Sequence, residues 1–289
     1  MTQTVFDRHA VRLHHDRAAP LVDRVAPVLT EVAERLLDRL DDTLHRFGRA
    51  LDLGGRGVVA PLLRQRGIEV VSCELSPAMA RRVGGVAGDP EWLPFAPSSF
   101  DLVVANLSLH TVNDLPGALI QLRAALRPDG LLLASMPALG TLAELRTTLA
   151  EAEAALTGGA SPRVAPFAGL ADCAALLQRA GFALPVADAD SLTLAYADPL
   201  DLLRDLRAAG ETNAVALRDR RTPPAGLFAE ALGRLGRRDG RVEVTLRLAM
   251  LTGWAPAPGQ PRPAPRGSGT VNLADALGNA APPHTSTYE

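Results

Sequence analysis

Asp52, Gly54, Gly55 and Gly57 stand where the apolar run Ala50-Leu51-Asp52-Leu53 meets a second apolar run, Val58 to Leu63. An acid and a glycine-rich turn between two apolar segments read as strand, tight turn, helix. Glycine serves such a turn where the backbone takes positive φ or where a ligand lies against the main chain. The start of the following helix attracts polar and anionic groups. Seventeen residues past Gly57, the segment Ile68 to Cys73 ends in Glu74. A carboxylate at the tip of a second strand is placed to accept from both hydroxyls of a ribose. The turn alone would equally suit an unliganded connection. With Glu74 it points to a nucleoside-containing cofactor.

Two later stretches carry further polar groups at predicted strand ends. In Gly88-Asp89-Pro90-Glu91-Trp92-Leu93-Pro94-Phe95, Asp89 could accept from an adenine amine and Trp92 could pack near it, while Leu93 and Phe95 read as core plugs. In Asn106-Leu107-Ser108-Leu109-His110-Thr111-Val112-Asn113-Asp114, Asn106 is a candidate cofactor contact. His110 reads either as a general base or substrate donor, or as pocket lining among core leucines. His14 and Asp16 form an H-x-D pair of the kind used at non-haem iron, with His9 as a third candidate ligand. Nothing in the local pattern enforces that geometry, so the sequence predicts no metal site. It also contains no C-x-x-C, H-E-x-x-H, P-loop or G-x-S-x-G pattern.

The elements that position these groups follow from periodicity. Residues 1–47 read as an N-terminal helical arm, with Val25, Val28, Leu29, Val32, Leu36, Leu40 and Leu44 on one face of a helix bent at Pro27. From 48 to 254 strands alternate with helices. Strands are predicted at the first turn, at 68–74, 83–88, 100–106, 131–136, 191–196 and 242–254, and helices after the turn, after Ser76-Pro77, over 116–126, along Leu142 to Leu156, up to Gly181 and from Pro199. That is a doubly wound, mostly parallel seven-stranded α/β sheet, with ligands beyond the carboxyl ends of its strands. Residues 255–289 are rich in Pro and Gly and read as an extended or partly disordered tail.

Composition narrows the classes. The chain has 289 residues, 47% hydrophobic, and a net charge of -2, which gives no electrostatic reason for a nucleic-acid or anionic-membrane partner. All 30 basic residues are arginine, so lysine chemistry is excluded. Cys73 and Cys173 lie in apolar segments and read as free thiols of a reducing compartment, the bacterial cytoplasm or a mitochondrial matrix. No apolar run is long enough for a membrane span.

The turn Asp52-Leu53-Gly54-Gly55-Arg56-Gly57 resembles the D-x-G-x-G-x-G motif of S-adenosylmethionine (SAM) methyltransferases, one residue shorter. The 88–95 string is similar to their G-D-x-E-x-L-P-F run. The shorter turn is expected to tighten with Gly54 and Gly55 at positive φ, to keep Val58, Val59 and Leu62 on the core, and to bind SAM more weakly. More of the chain, from about residue 5 to 278, resembles the methyltransferase-like assembly factors of respiratory complex I, whose mitochondrial members are protein arginine hydroxylases. The matching strings include Phe6-Asp7-Arg8, Leu107-Ser108-Leu109-His110, Val112-Asn113-Asp114-Leu115-Pro116, Gly210-Glu211-Thr212-Asn213 and Arg262-Pro263-Ala264-Pro265-Arg266-Gly267-Ser268. Thr111 stands where that family has an aromatic residue. The resemblance implies a class I methyltransferase-like Rossmann fold, SAM as cofactor and a complex I subunit as protein substrate. The alternatives are a carboxyl O-methyltransferase acting on a small molecule or carrier protein, and a non-catalytic assembly chaperone.

Overall fold

The computed structural model describes residues 4–261 and 267–272. Residues up to Ala257 form one unit, and the short described stretches beyond it belong to a second. The resemblance string at Arg262–Arg266 and most of the tail lie outside the described residues.

The parallel core consists of β1 (Arg49–Leu53), β2 (Glu69–Glu74), β3 (Val86–Ala87), β4 (Phe100–Asn106) and β5 (Leu126–Pro137), in the order β3-β2-β1-β4-β5. Two long antiparallel strands extend it: β8 (Arg241–Trp254) pairs with β5, and β6 (Ala183–Tyr196) pairs with β8. A two-residue β7 (Arg237–Arg238) also pairs with β8. The sheet thus has eight strands among the described residues, seven of them at predicted places.

Strands buried on both faces need apolar residues at every position. In β4, Leu102 and Val104 pack with α2 (Ala26–Leu37) and α3 (Val59–Gln65), while Val103 and Ala105 pack with α5 (Leu115–Ala125) and α7 (Leu170–Arg179). A third apolar cluster lies between α6 (Ala143–Thr157), α8 (Pro199–Ala209), α9 (Leu227–Gly233) and the outer part of the β6–β8 ribbon.

Helix starts follow their caps. Asp7 accepts from Ala10 N–H to open α1 (Arg8–Ala18). Ser76 and Pro77 open α4 (Pro77–Val83), Asp114 opens α5, and Asp198 with Pro199 opens α8. The arm differs from its predicted form. A 3-10 turn at Val22–Val25 precedes α2, and Pro27 sits in the first turn of that helix, where its missing N–H costs nothing, instead of bending a longer one. The helical face ends near Leu40, and Leu44 is fully exposed. The arm is also woven into the main unit: Asn113 Oδ1 accepts from both Val5 and Phe6 N–H at 2.9 and 2.8 Å, and Phe6 bridges to Val215. Strand β6 begins eight residues before the predicted start at Ser191. Its early segment carries Asp188 and Asp190, which pair with Arg39 and Arg35, so this part of the strand is a polar edge facing basic side chains.

Asn106, a candidate cofactor contact, has a different role. Its Nδ2 donates to the Leu29 carbonyl at 3.0 Å and its Oδ1 accepts from Ser135 Oγ at 2.9 Å. It is buried and ties α2 to β4 and β5. Replacing it by Ala strands those partners, so Asn106→Ala should lower unfolding stability by ~1–3 kcal/mol in urea titrations. A loss below ~0.5 kcal/mol would show that the tether is dispensable.

Candidate functional site

The strand order reverses between β1 and β4, and ligands of open α/β sheets sit in the crevice beyond the strand ends at such a point. On the β1 side the turn is tight, as expected, but its positive φ values fall on Gly54 (69°), Arg56 (51°) and Gly57 (91°) rather than on Gly54 and Gly55. Gly55 is required for another reason. A Cβ there would lie 2.0 Å from Asp52 Oδ1, so the carboxylate occupies the space that a side chain would need. Helix α3 keeps its register, with Val59 and Leu63 in the core and Val58 and Leu62 packed against it.

Glu74 is where the sequence places it, at the tip of β2 and 1% exposed. Its Oε1 accepts the Arg56 N–H at 2.7 Å. Burial, reinforced by the neighbouring Asp52 charge, pushes its carboxyl up to about 8. Asp52 accepts from Ser72 Oγ at 3.2 Å, and burial pushes it up to about 7. Asp89 Oδ1 accepts from the Arg8 guanidinium and, at 2.9 Å, from Glu91 N–H, so Asp89 also anchors the N-terminal arm. Trp92 is largely exposed, while Leu93 and Phe95 pack on the core.

On the β4 side, Ser108 donates to the Leu53 carbonyl at 2.8 Å and presses on Gly54, whose would-be Cβ lies 2.4 Å from Ser108 Cβ. The Arg56 side chain runs across this crevice and is 2% exposed. It donates to the carbonyls of Leu107 and Ala209, the latter at 3.0 Å, and lies 3.5 Å from Glu211 Oε1. Glu211 Oε2 is 2.8 Å from His110 Nε2. Burial raises the Glu211 carboxyl, but His110, Arg56 and His15 outweigh it and hold the group down at about 2. His110 Nδ1 is buried without a partner. With the proton on Nε2 the ring donates to Glu211 and leaves a lone pair on Nδ1, able to take a proton or accept a hydrogen bond.

Sequence reasoning missed Glu211 and placed Arg56 only near the entrance. The available signal for Glu211 was an acid directly after Gly210, which ends α8 in the left-handed conformation. The H-x-D pair does not join a metal site: Asp16 accepts from Ser76 Oγ and from Ala78 N–H at the start of α4. No metal-ligating cluster of His, Cys, Asp and Glu occurs among the described residues.

The cofactor expected here fits in chemistry. A buried carboxyl group, Glu74, stands at the tip of β2 beside a glycine turn. The Arg56 side chain, however, spans the crevice next to this turn, so a cofactor lying across it would displace that side chain. Arg56→Gly removes the obstruction and relieves a positive φ, and should raise SAM affinity in calorimetric titration by roughly tenfold, about 1.4 kcal/mol. Unchanged affinity would show that Arg56 does not compete.

Glu74 also sets a pH signature. Its folded-state pKa lies above the ordinary glutamate value of 4.5, so its contribution to stability is complete below that value and is lost as pH rises toward about 8. Relative to Glu74→Gln, the wild type should lose at most ~1.4 kcal/mol per pH unit across that window. Parallel stability curves for the two proteins would refute the assignment.

Comparison with known proteins identifies the family. A family model for the methyltransferase domain matches residues 24–185. The chain is 35% identical to the mitochondrial arginine-hydroxylase NDUFAF5 of Danio rerio, over 94% of this chain and 89% of the relative, and 37% identical to that of Homo sapiens, over 85% and 75%. It is likewise 37% identical to the malonyl-acyl-carrier-protein O-methyltransferase of Halorhodospira halophila, over 86% and 88%. Among solved structures, the YcgJ protein of Bacillus subtilis superposes with a TM-score of 0.53 at 15% identity, covering 77% of this chain and 98% of its own. That likeness concerns the fold. No helix among the described residues is long and apolar enough to cross a membrane. Sheet order, glycine turn, buried acid and sequence kinship together make this chain a member of the methyltransferase-domain family, a SAM-dependent enzyme of the transferase class.

Proposed function

We propose that this chain modifies an arginine side chain of a protein, by resemblance hydroxylating an arginine in a subunit of respiratory complex I during its assembly, in the bacterial cytoplasm or, in a eukaryote, the mitochondrial matrix. One observation carries this reading. The crevice already holds a guanidinium, that of Arg56, near a carboxylate that is itself hydrogen-bonded to His110. Such a pair is built to take a planar, permanently charged group. A substrate arginine entering from the cavity beside Glu211 would meet the same carboxylate once Arg56 has moved. Glu211 would orient the guanidinium. His110 Nδ1 would accept a hydrogen bond or a proton.

Hydroxylation adds one oxygen atom, so an oxidant has to reach the site as a co-reactant. Bound SAM supplies a sulfonium-activated methyl group, the reactant for the carboxyl or carrier-protein methylation reading. Glu74 would hold its ribose, and Asp52, Gly54, Gly55, Gly57 and Asp89 would shape its binding cleft.

Mass spectrometry of complex I subunits from a deletion strain, complemented with wild type or Glu211→Gln, separates the readings. The expected result is one arginine that gains one oxygen with wild type. Loss of a hydrogen bond to a charged group should lower the Glu211→Gln modification rate roughly tenfold to a hundredfold. A gain of one methyl group instead would establish methyl transfer, and identical subunits with and without the gene would leave the chaperone reading.

A further inference from the structure

We infer that the arginine taken by this site is flanked by large aliphatic side chains in an extended stretch of the partner protein, and that the cavity beyond Glu211 receives those flanks; the inference rests on the arginine reading above. The cavity measures about 540 Å³. Arg56, His110, Glu211, Arg163, Asp205 and Arg207 contribute polar lining, whereas Val28 of α2, Leu145 and Leu149 of α6, Leu194 of β6, Leu206 of α8 and Leu246 of β8 supply apolar walls. Its volume falls in the range of roughly 300–1,000 Å³ that accommodates drug-sized ligands. An arginine side chain, three methylenes and a guanidinium, uses only part of it. Along the leucine walls water finds no hydrogen-bond partners, so that part of the remainder favours an aliphatic occupant.

The spacing of the ligand follows from backbone geometry. On an extended strand, side chains at i and i±2 point to the same face, about 7 Å apart. An arginine reaching Glu211 therefore brings its i−2 and i+2 neighbours to the same side, toward the leucine walls. Within a folded partner such aliphatic residues would be packed away. They are presented together with an accessible arginine while the segment is still unpaired, which places recognition before the partner completes its own core.

Binding of three short capped peptides to the full chain, measured by isothermal titration, tests this. One has the core Leu-Ser-Arg-Ser-Leu, the second replaces both leucines by serine, and the third replaces arginine by citrulline, which keeps the shape and removes the charge. The leucine–arginine peptide should bind about tenfold more tightly than the serine peptide and more tightly than the citrulline peptide. Leu206→Ser, at a partly exposed wall position, should narrow the leucine preference. Equal binding of the leucine and serine peptides, or no binding of any peptide, overturns the inference. If the leucine preference persists but citrulline binds as well as arginine, the aliphatic receptor is supported and the arginine reading falls.

Discussion

The structure depends on accommodating one buried charge. A guanidinium keeps its proton in a protein interior, so the Arg56 cation has to be balanced where it lies. The carbonyls of Leu107 and Ala209 and the carboxylate of Glu211 do this. These partners come from the loop after β4, the end of α8 and the segment beyond it. One side chain thereby joins the glycine turn of the parallel core to elements more than a hundred residues away. Removing one partner of such a buried pair costs far more than the pair contributes, because the other charge is left alone. The same argument extends one step outward. Glu211 stays ionised because Arg56, His110 and His15 surround it, and an ionised Glu211 fixes which nitrogen of His110 is bonded and which is left for a ligand.

What was legible in the sequence was local. Ser76-Pro77 and Asp198-Pro199 announce helix starts because a cap is satisfied within three residues. Phe100 to Asn106 announces a central strand because both of its faces are buried. Glu74 is readable because its place is set by distance from the turn and by the end of an apolar run. Pairings across the chain were not legible. Nothing near Asn106 signals that its amide faces Leu29 and Ser135, and nothing near Asp89 signals Arg8. The first part of strand β6 was not read, and Asp188 and Asp190 find their place only once the arginines of the N-terminal arm stand opposite them. Gly55 was assigned the right necessity for the wrong reason: its Cα faces the Asp52 carboxylate, a contact within the turn that residue types alone do not distinguish from a need for positive φ.

The division between shared and individual chemistry runs through the sheet. The methyltransferase-domain match ends at residue 185, just inside β6, so it includes the glycine turn, Glu74, Asp89 and His110. Glu211 lies beyond it, as do the cavity walls at Leu194, Leu206 and Leu246. The parallel half carries the glycine turn, Glu74 and His110. The antiparallel ribbon with α8 and its following loop contributes Glu211 and part of the cavity wall. Relatives named as arginine hydroxylases and as carrier-protein O-methyltransferases both align over most of this chain, and a shared scaffold does not determine which chemistry is done on it. The second half adds beside His110 a carboxylate that its basic neighbours hold ionised, and part of the wall of an apolar chamber. Glu211 is balanced by Arg56 while that side chain stays in place; once Arg56 moves, an entering guanidinium restores the balance and an acid does not.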